Sequence, residues 1–460
     1  MRCIALALSC VAFCYGPLAA AESTRGASRT SLAPPPSLTL LEAERLALEH
    51  HPDIKASLFD EFAAGEAVKI ARAGYEPQAY GEAVQAFASG GTRIAAYNAI
   101  TDPTIIQRTA LGVGITQYIT DFGRTGDLVQ AAEFDVRARS AVANRTRDTV
   151  LLDVTQAYFD VLRANALLVV ANQTSAERHT LFRQASALQR AGLRSTLDVA
   201  IAERDAASAD QLVLEGLNRR LDAFAELTEA IGSANYNIYR LADISTLPPV
   251  PPNFQALAAA AERNNPTVLE ARAAGQAATA RVLAAGRLSS PTVSGYGFFG
   301  ASPFRESNVA LPSPYAAGGV NFTLPIFTGG SIRAQKREAG DEAAAASAAA
   351  VAARNRLIRD VRVAYEDVKT TRGNVDLSLR ILRTADEALH DTNVRYRIGL
   401  SSIVDVSQAE LERTQAAISE TNARYDYILR EADLEFAAGV IAAGLPQPSS
   451  YRLRRELRFF

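Results

Sequence analysis

The chain has 460 residues, more than the roughly 100–200 of a typical domain, so it has room for more than one structural unit. Hydrophobic residues make up 48% of the sequence, which is too many for a disordered chain, and the formal net charge of −2 gives no basic excess to favour a nucleic-acid partner. The three cysteines are Cys3, Cys10 and Cys14, so the rest of the chain can form neither a disulfide nor a thiolate metal site.

Residues 1–21 have the parts of a secretory signal peptide. Arg2 supplies a short positive region, residues 4–13 are largely apolar, and residues 19–21 (AAA) offer a cleavage site. The alternative is a buried N-terminal helix. Neither Cys10 nor Cys14 follows the small-residue box of a lipoprotein signal. We therefore expect an exported protein without a lipid anchor.

Residues 38–247 are predicted to begin with a helix followed by two strands. The helix is expected over residues 40–74, and Pro77 marks the change to the first strand, because proline suits an abrupt change of direction. A Gly- and Ser-rich loop is expected over residues 88–106. In the returning strand, residues 111–119 alternate between apolar and small or polar side chains, as in a half-buried strand.

Two very long helices are predicted next. Over residues 124–191, Gly126 alone interrupts a run without Pro or Gly, and a helix of this length approaches ~100 Å. After a break at Gly192, a second helix is expected over residues 195–231. Helices of this length are typical of coiled coils or of an extended helical tube.

The same pattern then returns, which indicates an internal repeat. Matching residues are 214 positions apart before the loop and 207 positions apart after it: Pro52 and Pro266, Pro77 and Pro291, Gly192 and Gly399, Asp198 and Asp405. A separation that stays constant over so many pairs indicates two copies of one unit, with a length difference in a surface loop.

The second copy, residues 248–444, is predicted to contain the same elements in the same order. The expected elements are a helix over 254–286, a strand after Pro291, a loop over 301–314, a strand ending near Pro325, and long helices over 331–398 and 402–438. Residues 22–37 are predicted to be a flexible segment and residues 445–460 a tail.

The strand count has a consequence for assembly. No run of 18 uncharged apolar residues follows the signal peptide, so the sequence predicts no transmembrane helix. Four strands alone would leave open edges in lipid, where each unpaired backbone group is costly. If these strands cross a membrane, several chains must share one barrel.

Several of these segments together resemble the TolC family of outer-membrane efflux proteins. They are the start LEAERLALEHHPDI, the element DFGR at residues 121–124, the Pro-flanked strands, and the turns RAGLRSTLDV and RIGLSSIVDV. The resemblance covers roughly residues 38–444. It implies a mainly α-helical homotrimer in which each chain gives four strands to one shared 12-stranded transmembrane β-barrel. Long helical hairpins would form a tube (an α-barrel) across the periplasm of a Gram-negative bacterium.

The resemblance also implies a function and partners. Such proteins are passive exit ducts in outer-membrane lipid, and they work with a periplasmic adaptor (membrane fusion protein) and an inner-membrane pump or ABC exporter. We expect neither an enzyme nor a cofactor or metal site, because the four histidines are scattered and no catalytic motif stands in the right context.

Individual residues take roles from the same resemblance. Tyr396, Asp405 and Asp198 fall on positions that narrow the periplasmic end of the pore, as a gate that also sets ion selectivity. Gly192 and Gly399 fall at the helix-turn tips where the adaptor docks. An arginine that narrows the pore of the best-known member corresponds to Ser401 here. The bonds that hold the gate must therefore differ.

Simpler interpretations of these residues stay open. Glycine at a turn can be a helix C-cap and nothing more. Ser402 or Asp405 can cap the helix that follows, and Tyr396 can be a packing residue between helices.

The function also has alternatives. The same duct would serve efflux of drugs, solvents or metal ions, or type I secretion of a polypeptide. A different class of protein, a periplasmic coiled-coil structural or adaptor protein without a pore, would have no use for paired strands at matching places in both copies.

Overall fold

The computed structural model describes residues 36–87, 95–96, 99–100, 107–244, 246–306, 309–443 and 445. The predicted signal peptide, residues 22–35, most of the loop over 88–106 and the tail beyond residue 445 lie outside the described residues. The helices are α1 (Leu40–His50), α2 (Pro52–Arg72), α3 (Arg124–Arg190), α4 (Thr196–Ala230), α5 (Phe254–Asn264), α6 (Pro266–Gly286), α7 (Ser331–Arg397) and α8 (Ile403–Ala438). The strands are β1 (Ser37–Leu38), β2 (Gln78–Phe87), β3 (Ala95–Ala96), β4 (Ala99–Ile100), β5 (Gln107–Thr120), β6 (Arg240–Leu241), β7 (Thr292–Glu306) and β8 (Val309–Thr323).

The four long strands form one antiparallel sheet in the order β2-β5-β7-β8. Each copy contributes one hairpin, and the two hairpins join where β5 pairs with β7. Tyr80 lies opposite Gly114, and Tyr296 lies opposite Gly319. In both pairs the aromatic ring covers the glycine so closely that a Cβ atom there would collide with it. The small residues of the alternating pattern therefore make room for cross-strand rings.

The second-copy loop predicted over 301–314 is wrong for most of its length. β7 continues to Glu306 and β8 begins at Val309, with Pro303 opposite Pro312 in the register. The Gly-, Ser- and Pro-rich composition is typical of loops. β8, however, is an outer strand of this sheet. A proline is tolerated there when the position of its missing N–H faces away from the neighbouring strand.

The helices predicted over 40–74 and 254–286 are each two helices, so both predictions were wrong as single elements. The breaks fall at His51 (φ −62°, ψ 127°) and Asn265 (φ −65°, ψ 123°), the residues before Pro52 and Pro266. A proline pushes the preceding residue out of the helical region into the extended one. Asn265 then caps α6, since its Oδ1 accepts a hydrogen bond from Thr267 N at 3.0 Å.

Each break packs against the end of a long helix from the same copy. Gly232 (φ +78°) follows α4, and a Cβ atom there would lie 2.7 Å from the Cα atom of His51. Gly439 (φ +68°) follows α8 and would approach the Cα atom of Asn265 to 2.9 Å. We call these contacts the two glycine joints. Both need glycine for its left-handed backbone and for the close approach.

The four remaining helices confirm the predicted hairpins to within about one residue. α3 and α7 each contain 67 residues, which gives a length of ~100 Å. α3 packs against α4 and α7 packs against α8, while the shorter α6 lies along α3 and α7. The main core gathers around α1, α3 and α4, where Leu151, Val154 and Leu227 are fully buried. None of the described helices combines the length and apolar character needed to cross a membrane.

Candidate gate at the helix-turn tips

Both helix-turn tips end in the same glycine motif. After α3, Gly192 (φ +74°) donates its N–H to Gln189 O, and Leu193 donates to Leu188 O, each at 2.9 Å. These two bonds define a Schellman C-cap, which satisfies carbonyl groups that the helix end leaves free.

The turn after α7 repeats the motif. Gly399 (φ +82°) donates to Tyr396 O at 3.1 Å, and Leu400 donates to Arg395 O at 2.9 Å. A Cβ atom on Gly192 or Gly399 would meet nothing within 4 Å among the described residues, so the backbone angle and not crowding calls for glycine. Gly192 and Gly399 thus both serve as helix C-caps. Leu193 and Leu400, which follow these glycines, are 70% and 76% exposed.

Asp405 takes part in an N-terminal cap of α8. Ser402 Oγ accepts a hydrogen bond from Asp405 N at 3.2 Å, and Asp405 Oδ2 accepts one from Ser402 N at 2.8 Å, which completes a capping box. The hydroxyls of Ser401 and Ser402 also donate to Asp405 Oδ2. Bonds from the Ser402 backbone and hydroxyl, and then from Ser401, hold the pKa of Asp405 below its usual range. Asp405 is therefore an exposed, charged carboxylate at neutral pH.

Asp198 occupies the matching position in the first copy. Ser195 caps α4, and its Oγ accepts a hydrogen bond from Asp198 N at 3.2 Å. Asp198 and Asp405 thus lie in the first turns of two helices, where a negative charge interacts favourably with the helix dipole.

Tyr396 is buried between the helices of the two hairpins. It is 2% exposed and belongs to an apolar cluster that includes Leu181 and Ala202 of the first copy and Val406 of the second. Burial raises the pKa of its hydroxyl. The packing role is therefore real for Tyr396.

Arg194 joins the two turns, and the sequence prediction did not include it. Its guanidinium carbon lies 4.4 Å from the centroid of the Tyr396 ring, in a cation–π contact. Its Nη2 donates to the carbonyl oxygens of Tyr396 at 3.1 Å and Ser401 at 3.4 Å. One side chain of the first copy thus holds the backbone of the second copy's turn.

The 207-residue offset between the two copies is a sequence signal that could have drawn attention to Arg194. Arg194 stands 207 positions before Ser401, so the two are counterparts in the two copies. Arg194 therefore donates a hydrogen bond to the backbone of its own counterpart in the other copy. We call Arg194, Tyr396, Ser401, Ser402 and Asp405 the tip cluster.

The three prolines lie far from the tips, at the junctions beside the sheet. Pro77 directly precedes β2, Pro291 directly precedes β7, and Pro325 lies between β8 and α7. The structure therefore brings Tyr396 and Asp405 into the tip cluster and separates the prolines from it. Within the described residues, no group of three or more His, Cys, Asp or Glu side chains is placed to hold a metal ion.

Known proteins share this architecture. The outer membrane efflux protein family matches residues 44–233 and 257–440, one segment in each copy. The outer membrane protein TolC of Salmonella enteritidis is 25% identical over 426 residues, which cover 88% of this chain and 83% of that protein. TolC of Vibrio cholerae is 28% identical over 323 residues, 68% of this chain and 73% of that protein.

The fold is also that of a solved structure. The crystal structure of the Campylobacter jejuni CmeC outer membrane channel matches with a TM-score of 0.75 at 19% identity, over 91% of this chain and 88% of that one. With both copies matched in order, the chain belongs to the outer membrane efflux protein family.

Proposed function

We propose that this chain is the outer-membrane exit duct of a tripartite efflux or type I secretion system, through which small molecules or a polypeptide leave passively. One observation carries the proposal: a sheet with an exposed apolar face is attached to two helical hairpins ~100 Å long. The family match gives no support to the alternative of a coiled-coil adaptor without a pore.

The two faces of the sheet differ in chemistry. In the register, Val113 of β5 lies opposite Phe299 of β7, and this face carries exposed apolar side chains on three strands. Its large exposed residues are Leu111, Val113, Ile115, Phe299, Val320 and Phe322. A contiguous apolar face of this kind suits contact with lipid.

The outer strands of the sheet support a shared barrel. β2 and β8 each have one side without a neighbouring strand among the described residues. Because open edges are costly in lipid, we propose that three chains close their sheets into one 12-stranded barrel. The helical hairpins would then extend across the periplasm of a Gram-negative bacterium, in a protein without a lipid anchor.

The tip cluster, together with Asp198, is the proposed periplasmic gate. Under threefold symmetry, Asp405 and Asp198 each become a ring of carboxylates, and charged rings set ion selectivity. Tyr396 and Arg194 hold the two turns together. The exposed leucines beside Gly192 and Gly399 give these tips an apolar surface for a periplasmic adaptor that links the duct to an inner-membrane pump or ABC exporter.

The test separates the charge of Asp405 from its capping role. Asp405→Asn removes the charge and keeps a side-chain oxygen that can accept the hydrogen bond from Ser402 N, whereas Ser402→Ala removes the N-cap hydroxyl and keeps the charge. Reversal potentials of single channels in a KCl gradient should show lower cation selectivity for Asp405→Asn and wild-type selectivity for Ser402→Ala. Unchanged selectivity in Asp405→Asn would remove Asp405 from the gate, and absence of any conductance in the wild type would overturn the duct.

A further inference from the structure

A buried charge cluster joins the two hairpins at a distance from the tips. It consists of Arg178 on α3, Asp205 on α4 and Glu410 on α8, whose side chains are 8%, 10% and 6% exposed. Arg178 lies twelve residues before the end of α3, about 18 Å along the helix. Charged groups are rarely buried so completely unless they are well paired.

The two carboxylates differ in how well they are satisfied. Asp205 accepts hydrogen bonds from Arg178 Nη1 at 3.1 Å and Arg204 Nε at 2.9 Å, and a further one from the Ser407 hydroxyl. Glu410 Oε2 lies 2.9 Å from Arg178 Nε, but the contact lacks hydrogen-bond geometry, and no described donor bonds to this oxygen. Of the two buried carboxylates, Glu410 therefore has more to gain from a proton.

Other charges around Glu410 do not compensate it. Arg413 lies on the same helix, but it is 3.0 Å from Asp386 of α7 and 3.9 Å from Glu177 of α3. A groove of about 450 Å³ between α3 and α7 gives water a route to Glu410. The charged and titratable groups that face Glu410 or line this groove are Glu177 and Arg178 of α3, Asp205 of α4, Asp386, His390 and Arg397 of α7, and Arg413 of α8.

These surroundings favour the protonated acid. Burial raises the pKa of Glu410 to about 7; the Arg178 charge opposes the rise, and the Glu177 and Asp205 charges add to it. The counterpart of Glu410 in the first copy is Glu203, 207 positions earlier, and it is exposed. The buried acid is thus a feature of one hairpin and not of the repeated unit.

We propose that Glu410 holds a proton while α8 is packed against α3 and α4 and releases it when α8 moves away, so that the packing of the two hairpins depends on periplasmic pH. The proton binding itself needs only the contacts above. Its effect on passage through the tips rests on the proposed duct function.

The direction of the effect follows from linkage. The ordinary pKa of a glutamate is 4.5, and packing raises the pKa of Glu410 to about 7. The packed arrangement is therefore fully favoured below pH 4.5 and loses this advantage as the pH rises through 7. For one proton, the ratio of packed to separated molecules falls by at most about tenfold per pH unit within this window.

The first test measures the full chain in detergent. Thermal unfolding of the wild type, Glu410→Gln and the control Glu203→Gln is followed from pH 5 to pH 8.5. Glu410→Gln keeps the shape of the protonated acid, so it should match the wild type at pH 5 and unfold at a higher temperature at pH 8.5. Glu203→Gln should follow the wild type throughout. A Glu410→Gln profile parallel to that of the wild type would overturn the proposal.

A second readout measures the separation of the two tips directly. Since the natural cysteines lie within the first 14 residues, spin labels on Leu193→Cys and Leu400→Cys report the separation of the two tips without background in the rest of the chain. The label separation should increase as the pH rises through 7. When Glu410→Gln is added, the separation should stay short at pH 5 and at pH 8.5. A label separation that does not change with pH would overturn the proposal. Loss of conductance at every pH, with the pH-dependent separation intact, would instead overturn the duct.

Discussion

At the scale of single residues, the tip is held by an arginine that bonds to backbone carbonyls. Arg194 contacts the oxygens of Tyr396 and Ser401 and the face of the Tyr396 ring. A backbone carbonyl is present whatever the side chain, so the contact to residue 401 does not need an arginine or any other particular side chain there. The second copy's turn is therefore held without an arginine of its own at residue 401.

Removing Arg194 should loosen the tip. Arg194→Ala deletes two hydrogen bonds and a cation–π contact, and charged hydrogen bonds of this kind contribute ~1–3 kcal/mol each at most. Single-channel recordings should show a larger conductance or longer open times. Arg190→Ala is the control, because Arg190 bonds only within its own helix, to Ser186 O, among the contacts described. Equal behaviour of the two variants would contradict a holding role for Arg194.

The sequence predicts which residues lie at the tip. It does not predict which residues they contact. Tyr396 and Asp405 come out at the predicted turn, because the Gly and Ser residues around them mark helix ends. The contact between Arg194 and Tyr396 joins residues that are 202 positions apart in the chain. A local pattern holds no information about such a pair, and the comparison of the two copies shows only that Arg194 and Ser401 are counterparts.

At the scale of elements, the long helices were predictable and the short ones were not. α3 and α7 follow from the absence of proline and from glycines at their ends. The breaks at His51 and Asn265 were missed although Pro52 and Pro266 were noted, because proline is also tolerated in the first turn of a helix. Here both uses apply at once: each proline starts one helix and ends the previous one.

The glycine joints should tolerate no side chain. Gly232→Ala and Gly439→Ala each place a Cβ atom within 3 Å of backbone and force a strained backbone angle, which costs about 1–3 kcal/mol or more. Thermal unfolding should show a clear loss of stability for both. Gly340→Ala in α7 is the matched control, since an added Cβ atom would meet no described atom within 4 Å beyond the neighbouring backbone of its own helix, and alanine favours the helix by ~1 kcal/mol. Equal stability of all three variants would contradict the requirement for glycine at the two joints.

At the scale of the whole molecule, a single chain leaves large apolar surfaces uncovered. They include one face of the sheet and positions along the long helices, such as Leu214 at 67% exposure and Val351 at 58%. Isolated exposed apolar residues are ordinary, but a contiguous face indicates a partner or lipid. The alternating pattern predicted this face, whereas the extent of β7 and β8 beyond it was hidden by their loop-like composition.

The assembled particle should contain three chains. Light scattering of the protein extracted from outer membranes in mild detergent should give a protein mass close to three times that of the mature chain. The full 460-residue chain has a mass of 49.2 kDa, and the predicted signal peptide would be removed from it. A monomer that stays in solution without detergent would contradict both the shared barrel and the membrane location.

The glycine joints also impose an order in time on assembly. Each joint closes a stretch of chain 181 or 174 residues long, from His51 to Gly232 and from Asn265 to Gly439. During synthesis and export, α1 and α2 emerge first, but the helix end against which they fit arrives nearly two hundred residues later. Contacts between such distant positions form slowly, because the chain must first lose the freedom of the intervening stretch. α1 and α2 can pack on α3 before then, but the joint itself closes only when the last helix of the copy is in place.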